Sequence, residues 1–256
     1  MVASGGDFSG LFSFQHSCLF FIMYLSFACK PLHMKRIFYL IGACYFMYSC
    51  KAPSYSYVPA TMNTTAYSHA GEGQLGLVFG SPGIAGKGGI AVTKNISLNA
   101  WAASMPADSG YGSKESEYSL GVQTNVKNNI TTSFWVGLGN GSNKKVRTDL
   151  HGHFNRLFLQ IQQSVINIPF GYARFDGFFG VRVNYLDYTG TREDKPLNDI
   201  LYYYEPYWGF NVGGKNVRFD FLTGLAMKNT GEWSHGVRVW PWFGHVGLLF
   251  KLGKIQ

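Results

Sequence analysis

The sequence predicts an all-β protein, an antiparallel up-and-down transmembrane β-barrel of ten strands, with eight and twelve as the neighbouring even counts. Three observations point there. Long stretches alternate polar and apolar residues with period two. The connections between them alternate between tight turns and longer loops. Aromatics make up 17% of the 256 residues and charged residues only 14%, with 32 glycines. Soluble proteins average about 25% charged residues. In a membrane barrel only alternate residues meet lipid, so such a chain needs no long apolar run in its body.

The alternation is clearest in GYARFDGFFGVRVNYLDY, Gly171 to Tyr188. Successive side chains of a strand point to opposite faces. One face then carries Arg174, Asp176, Phe178, Gly180, Arg182 and Asn184, and the other Ala173, Phe175, Gly177, Phe179, Val181, Val183 and Tyr185. Strands in soluble domains usually run about 5–6 residues, and this one is far longer. Tyr118, Leu120 and Val122 oppose Glu117, Ser119 and Gln123 in the same way. Leu157, Leu159 and Ile161 oppose Arg156, Gln160 and Gln162. Tyr202, Tyr204 and Trp208 oppose Tyr203, Glu205 and Tyr207, and Val217, Phe219 and Phe221 oppose Arg218 and Asp220. A sandwich or a membrane barrel can use such strands.

Ten strands are expected, over 72–80, 87–93, 96–104, 115–126, 130–139, 153–166, 171–188, 200–213, 216–228 and 240–252. SPGIAG, MPADSGYGSK, GSNKKVRTDLHG, TGTREDKPLND and NTGEWSHGVRV are read as loops; TKN, VKNN, NIPF and GGKN as turns. Outer-membrane barrels pair short periplasmic turns with longer extracellular loops and have even strand numbers. A sandwich has no reason to alternate so. With a periplasmic start to the barrel, every long connection falls outside and every tight turn inside. Phe175, Phe179, Val181 and Val183 would then face lipid, and Arg174, Asp176 and Arg182 the interior.

The N-terminal fifth is different. All four cysteines, Cys18, Cys29, Cys44 and Cys50, lie there, so the body holds no disulfide framework. From Met34 the chain reads MKRIFYLIGACYFMYSC: a basic start, an apolar core, then Ser49 and Cys50. This is a secretory signal peptide over 34–50, ending at a lipoprotein-type cysteine. Residues 1–33 are read as an over-extended start, or alternatively as a membrane anchor through the apolar stretch Leu11 to Cys29. Lipidation is assigned to Cys50, because a thiol to be alkylated by diacylglycerol must follow small residues and Ser49 is one. Cys44 follows the cleaner box Ile41-Gly42-Ala43, but its apolar run is short of the roughly 7–15 residues expected. An ordinary signal peptide with an incidental cysteine is the plainer alternative. Residues 51–71, rich in Pro, Ser and Thr, are read as a tether, and 72–256 as the barrel.

The segment GEGQLGLVFGSPGIAGKGGIAVTKNISLNAWAAS, Gly71 to Ser104, resembles the first three strands of a Bacteroidota outer-membrane β-barrel family. Gly71-Glu72 and the AVTKN turn carry the likeness, and CKAPSYSYVPATMNTT resembles that family's lipoprotein-like leader. The architecture is similar to the small OmpA/OmpX-like barrels. The resemblance implies the bacterial outer membrane as location, with outer-membrane lipid, lipopolysaccharide and the barrel assembly machinery as partners. It implies no activity and no cofactor.

Little in the chain suggests catalysis. His151-Gly152-His153, near Asp149, puts two imidazoles on one face of a strand, short of a metal site. Glu232-Trp233-Ser234-His235 holds an acid, a hydroxyl and a base, but triads are made by geometry rather than adjacency. No phosphate loop or nucleophile elbow is present. The net charge of +8 is scattered and does not form the basic stripe of a nucleic-acid binder. Lys144, Lys145 and Arg147 read as a solvated loop, or as a contact for an anionic partner such as lipopolysaccharide. We therefore assign no catalytic, cofactor or metal residues.

The best constellation is a lumen charge network: Arg174, Asp176, Arg182, Glu205, Arg218 and Asp220. Arg174 and Asp176 should lie level with Arg218 and Asp220, with Asn211 between them, and His245 should face inward nearby. Interior charges away from water are held only when paired and hydrogen-bonded, so mixed signs suggest a salt-bridge plug. Trp101, Trp135, Phe158, Phe178, Tyr203 and Tyr207 add bulk to the same face. The expected function is that of a non-enzymatic outer-membrane β-barrel lipoprotein, a scaffold or a surface binder acting through its loops. A narrow porin-like channel for small solutes and an outer-membrane hydrolase with a rim site are the alternatives.

Overall fold

Period-two alternation does produce strands, and they close on themselves. The structure, a computed structural model, describes residues 56–60, 62, 64, 66–106, 111–124, 126–145, 149–228, 237 and 239–253. The segment 34–50 expected as a signal peptide, with Cys44 and Cys50, and the Glu232–His235 stretch lie outside the described residues. The strands are β1 (Gly73–Gly80), β2 (Gly83–Ala91), β3 (Ile96–Met105), β4 (Tyr111–Gln123), β5 (Ile130–Lys145), β6 (Leu150–Phe170), β7 (Ala173–Arg192), β8 (Lys195–Gly213), β9 (Val217–Leu225), β10 (Met227–Lys228) and β11 (Trp242–Leu252). Each pairs antiparallel with its neighbour, and β1 pairs with β11 to close the sheet. β9 and β10 hold one register along β8 across Ala226 and form a single stave. The result is a closed antiparallel barrel of ten staves. Closure pairs both edges of the sheet along the body of the barrel; among the described residues, Lys195–Tyr202 at the loop end of β8 pair only with β7.

Several connections differ from expectation, each for a local reason. SPGIAG is no loop: only Ser81-Pro82 separates β1 from β2. Gly83 makes the tight return possible with φ +97, where a Cβ would sit 2.5 Å from the Ser104 carbonyl. TGTREDKPLND shrinks to a two-residue turn, Glu193-Asp194, with φ 52 and 58, the left-handed pair of a type I′ hairpin. NIPF belongs to β6. The chain bulges between Val165 and Ile168, and the turn proper is Gly171-Tyr172. β5 to β8 also run well past their expected ends. On β5 both faces there are polar or glycine, and on β6 and β7 the outer face turns polar while Leu150, Phe154, Leu186 and Tyr188 stay buried inside, so the apolar side of the alternation changes from outside to inside although pairing continues.

That change of pattern divides the outer wall into two zones. We call the end bearing the β1–β2, β3–β4, β5–β6, β7–β8 and β10–β11 connections the loop end, and the other the turn end. Leu138, Leu157, Tyr185 and Tyr202 pair in one row across β5 to β8. Tyr185 and Tyr202 meet edge-on, with ring centroids 5.3 Å apart. From this row to the turn end the outward residues are apolar and exposed, among them Val136, Phe134, Leu159, Ile161 and Phe179. From it to the loop end they are polar on β5 to β7: Asn140 and Lys144 on β5, Asn155, His153 and His151 on β6, Asp187 and Thr189 on β7; on β8 Ile200 is still apolar and exposed. Transmembrane strands need about 9–11 residues, and Ile130–Leu138 on β5 supplies that span.

The inner wall explains why glycine and aromatic residues are abundant together. Inward aromatics lie across glycines on the neighbouring strand: Trp135 opposite Gly121, Phe158 opposite Gly137, Phe178 opposite Gly209 and Phe243 opposite Gly224. A Cβ on Gly137 would fall 2.3 Å from Phe158 Cζ and 2.6 Å from the Tyr118 carbonyl. One contact is backbone, so the clash has no easy relief. Gly137→Ala should destabilise the barrel by about 1–3 kcal/mol and lower the temperature at which the folded band converts on a heat-modifiability gel. Outward Gly86 meets nothing within 4 Å of a built Cβ, so Gly86→Ala should leave that temperature unchanged. Equal behaviour of the two variants would show that the aromatic does not need the glycine.

Candidate functional site

The candidate site is the lumen, where three ion clusters form. The first lies toward the turn end. Asp176 accepts from Arg218 and from Lys251 Nζ at 2.5 Å. The bulge of β6 serves it as well: the Asn167 N–H donates to Asp176 Oδ1 at 2.7 Å, and Asn167 Oδ1 accepts from Arg218 Nη2 at 2.9 Å. Thus the bulge that ends regular pairing in β6 places a backbone donor on a lumen carboxylate.

The second cluster is centred on Asp220. Its Oδ2 accepts from Lys87 Nζ at 2.5 Å and lies 3.0 Å from His245 Nε2. Asn211 pairs in register with both Asp176 and Asp220, and with its amide group in the orientation that satisfies both ends its nitrogen donates to Asp220 Oδ1 at 2.7 Å. Lys87 is on β2 and Asp220 on β9, so this pair clasps the barrel across the closing β1–β11 seam.

The third cluster is the most deeply buried. Glu117 Oε2 accepts from Arg156 Nη2 at 2.6 Å and Arg182 Nη1 at 2.9 Å, and Oε1 from Arg182 Nη2 at 3.1 Å. Arg182 also donates to Gln160 Oε1 at 2.8 and 3.0 Å, and its guanidinium lies 4.0 Å over the Phe158 ring. This planar fork is the geometry in which arginine binds a carboxylate in two places while stacking on an aromatic face. Asn184 donates to Glu205 Oε2 at 2.8 Å in the same wall.

The sequence placed Asp176, Arg182, Glu205, Arg218 and Asp220 inside, and all five are buried. It grouped them differently. Arg174, Asp176, Arg218 and Asp220 do not form one cluster. The cations on Asp176 are Arg218 and Lys251, those on Asp220 are Lys87 and His245, and Arg174 is half-buried at the start of β7. Lys87, Glu117, Arg156 and Lys251 were absent from the expected network. Alternation already marked Glu117 and Arg156 as polar-face residues. Their pairing across strands is set by register, which alternation leaves open.

Sequence reasoning missed the largest contributor to the lumen. The described residues between Ser56 and Tyr67, part of the stretch read as a tether, are buried inside the barrel. Ser56, Tyr57, Val58, Ala60, Met62, Thr64 and Tyr67 are each at most 4% exposed. Tyr57 packs edge-on against Phe154 and Tyr203, at 5.0 and 5.9 Å, and its hydroxyl accepts from Arg156 and from Tyr203 at 3.0 Å. Ala60 packs with Val78, Ala85 and Trp101 on the opposite wall. Gln162 donates to the Thr64 carbonyl at 3.0 Å. Tyr207 links Gln162 to Gln160 through hydrogen bonds of 2.9 and 2.7 Å. A continuous network therefore runs from Glu117 to the threaded segment. Two cavities toward the turn end measure about 10 Å³ each, room for about one water.

The remaining candidates do not assemble. His151 and His153 point outward into the polar collar, with His151 3.3 Å from Asp149. Among the described residues no group of three or more His, Cys, Asp and Glu side chains converges as a metal site. His245 and Asp220 pair as imidazole and carboxylate do in a triad, but the ring nitrogen facing Asp220 also faces Lys87 at 3.5 Å, and both residues are fully buried, which makes them part of the ion cluster.

No family model and no curated protein matches the chain in sequence. Among solved structures it is similar to the translocator domain of the autotransporter NalP from Neisseria meningitidis, at 11% identity and TM-score 0.39, over 71% of this chain and 86% of that one. It is also similar to the alcaligin outer membrane receptor FauA from Bordetella pertussis, at 11% identity and TM-score 0.27, over 75% of this chain and 43% of that one. CdiB from Acinetobacter baumannii is similar at 10% identity and TM-score 0.21, over 71% of this chain and 60% of that one.

Proposed function

We propose that this protein is a sealed bacterial outer-membrane barrel, lipid-modified at Cys50, that acts as a membrane-embedded scaffold and offers its loop-end collar as a surface for binding. The observation that carries the reading is the lumen. A threaded segment, buried aromatics and three ion clusters occupy it, and two cavities toward the turn end have room for about one water each. The apolar outer band supports a membrane location, and the likeness of Gly71 to Ser104 to a Bacteroidota barrel family supports the outer membrane. Lipopolysaccharide is the expected neighbour of the collar, where Lys144 and His151 pair in register on the outer face. A channel needs an open path, and a rim hydrolase needs an accessible nucleophile beside a base.

Purification from outer membranes and reconstitution in a planar bilayer test this. The expected protein shifts mobility on boiling, begins at Cys50 with the mass of a diacylglyceryl group, and gives no stable conductance. Large, steady, ion-selective currents from the unmodified protein would replace the scaffold with a channel. Recovery as a soluble protein with no heat shift would remove the membrane reading altogether.

A further inference from the structure

The threaded segment has a direction. At the loop end, the Ser56 carbonyl accepts from Asn143, near the end of β5, and its hydroxyl from Arg192, the last residue of β7. The Tyr57 carbonyl accepts from the Trp240 N–H at 2.9 Å, and Tyr57 bridges in parallel to Val239, both in the β10–β11 connection. At the turn end, the Tyr67 N–H donates to Gln123, the last residue of β4, at 3.2 Å, and Gln123 donates back to the Tyr67 carbonyl. The Tyr67 hydroxyl donates to Asn99 at 3.2 Å and the Ser68 N–H to Glu72 at 2.7 Å. Gly89 makes this seat possible, since a Cβ there would lie 2.3 Å from the Tyr67 hydroxyl. The chain therefore descends the lumen from loop end to turn end, leaves it, and only then begins β1.

We infer that the barrel carries its own N-terminal arm to the cell surface. The polar outer-face extensions of β5 to β7 and the long β10–β11 connection both stand at the loop end, as the longer connections of an outer-membrane barrel stand outside, so Ser56 lies at the extracellular rim. Cys50 precedes it by six residues. An extended chain of that length reaches at most about 20 Å. A diacylglyceryl group on Cys50 therefore enters the outer leaflet, where a periplasmic tether would have held it in the inner one. The inference rests on the outer-membrane reading above. It also orders assembly. A lipid-bearing end and the Tyr57 and Tyr67 rings have no passage through a lumen filled by ion clusters. The staves must close around the arm, with the β1–β11 seam and its Lys87–Asp220 clasp completed afterwards.

Labelling the native protein with a membrane-impermeant amine reagent tests this. Lys51 is the lysine next to Cys50, Lys195 lies exposed at the loop end and Lys215 exposed at the turn end. Mapping modified lysines by mass spectrometry should show Lys51 and Lys195 labelled equally in intact and permeabilised cells, and Lys215 only after permeabilisation. Lys51 behaving like Lys215 while Lys195 labels on intact cells overturns the arm's direction and leaves the barrel's orientation standing. Lys195 silent while Lys215 labels on intact cells overturns the orientation, and the inference with it. An epitope inserted after Ala52, detected by antibody on intact cells, gives a second reading; its appearance only after permeabilisation counts against the inference.

Discussion

Deleting Ala52–Ser68 should turn a silent barrel into a conducting one. About eight strands leave an interior that side chains just fill, and about sixteen leave an aqueous channel. Ten staves lie between these, and here the difference is made up by the arm. Its removal takes Tyr57 and Met62 out of the cluster that includes Phe154, Tyr203 and Val239, and Ala60 away from Trp101. It also strips Arg156 of its phenol acceptor and Gln162 of the Thr64 carbonyl. Burying a residue of the size of Val58 or Met62 contributes about 1.5–3 kcal/mol, so the variant should also convert at a lower temperature on a heat-modifiability gel. The measurement is single-channel recording of the refolded variant beside the parent. We expect stable steps from the variant and none from the parent. A variant that is folded, shown by its heat shift, yet as silent as the parent would mean that the wall side chains seal the lumen unaided. Gly89→Leu offers a milder route. It displaces only the Tyr67 end of the arm and should give brief openings with the loop end still held.

The parts of this structure that were legible in the sequence are those set by alternation. Long strands with Phe175, Phe179 and Val183 on one face and Asp176 and Arg182 on the other can satisfy both faces only in a closed, two-environment sheet. Strand number and inward bulk followed from the same pattern. Three things were not legible. The loop-end extensions lie beyond the apolar band: on β5, Asn140, Ser142 and Lys144 follow one another with no hydropathy contrast between faces, and on β6 and β7 the apolar residues, Leu150, Phe154, Leu186 and Tyr188, have moved to the inner face. The ion pairs depend on register: Glu117 meets Arg156 and Arg182 across separations of 39 and 65 residues. The arm has no secondary structure of its own. Pro, Ser and Thr without a period read as a linker, and what buries Ser56–Tyr67 is a lumen that exists only once the barrel has formed. A signal was nonetheless present. Tyr55, Tyr57, Val58, Met62 and Tyr67 make the stretch more apolar than a solvated tether needs to be.

Glu117→Gln should be among the most destabilising single substitutions in the barrel. The carboxylate holds two guanidinium groups, and all three residues are 1–2% exposed. Removing one partner of a buried ion pair is destabilising by about 3–5 kcal/mol, because the remaining charge is left in a poor medium. Here one substitution leaves two such charges. Arg182 keeps its bonds to Gln160 and its stack on Phe158, and Arg156 keeps Tyr57, so the shape of the site survives while its balance of charge does not. The readout is the conversion temperature on the gel, with unfolding in denaturant as a second measure. Shape and charge are then separated by the triple variant Glu117→Gln, Arg156→Met, Arg182→Met. Replacing a whole buried ionic set by apolar groups of similar volume is often neutral or stabilising. The triple variant should therefore recover most of what the single one loses. Asp176 is the internal comparison. It too serves two cations, but its partner Lys251 is 13% exposed near the turn end, where water can approach, so Asp176→Asn should cost less. If Glu117→Gln converts at the parent's temperature, the cluster is hydrated rather than dry. If the triple variant is as unstable as the single one, the arginines are holding the wall by packing and hydrogen bonding to Gln160 and Tyr57, and the ion pairs are secondary.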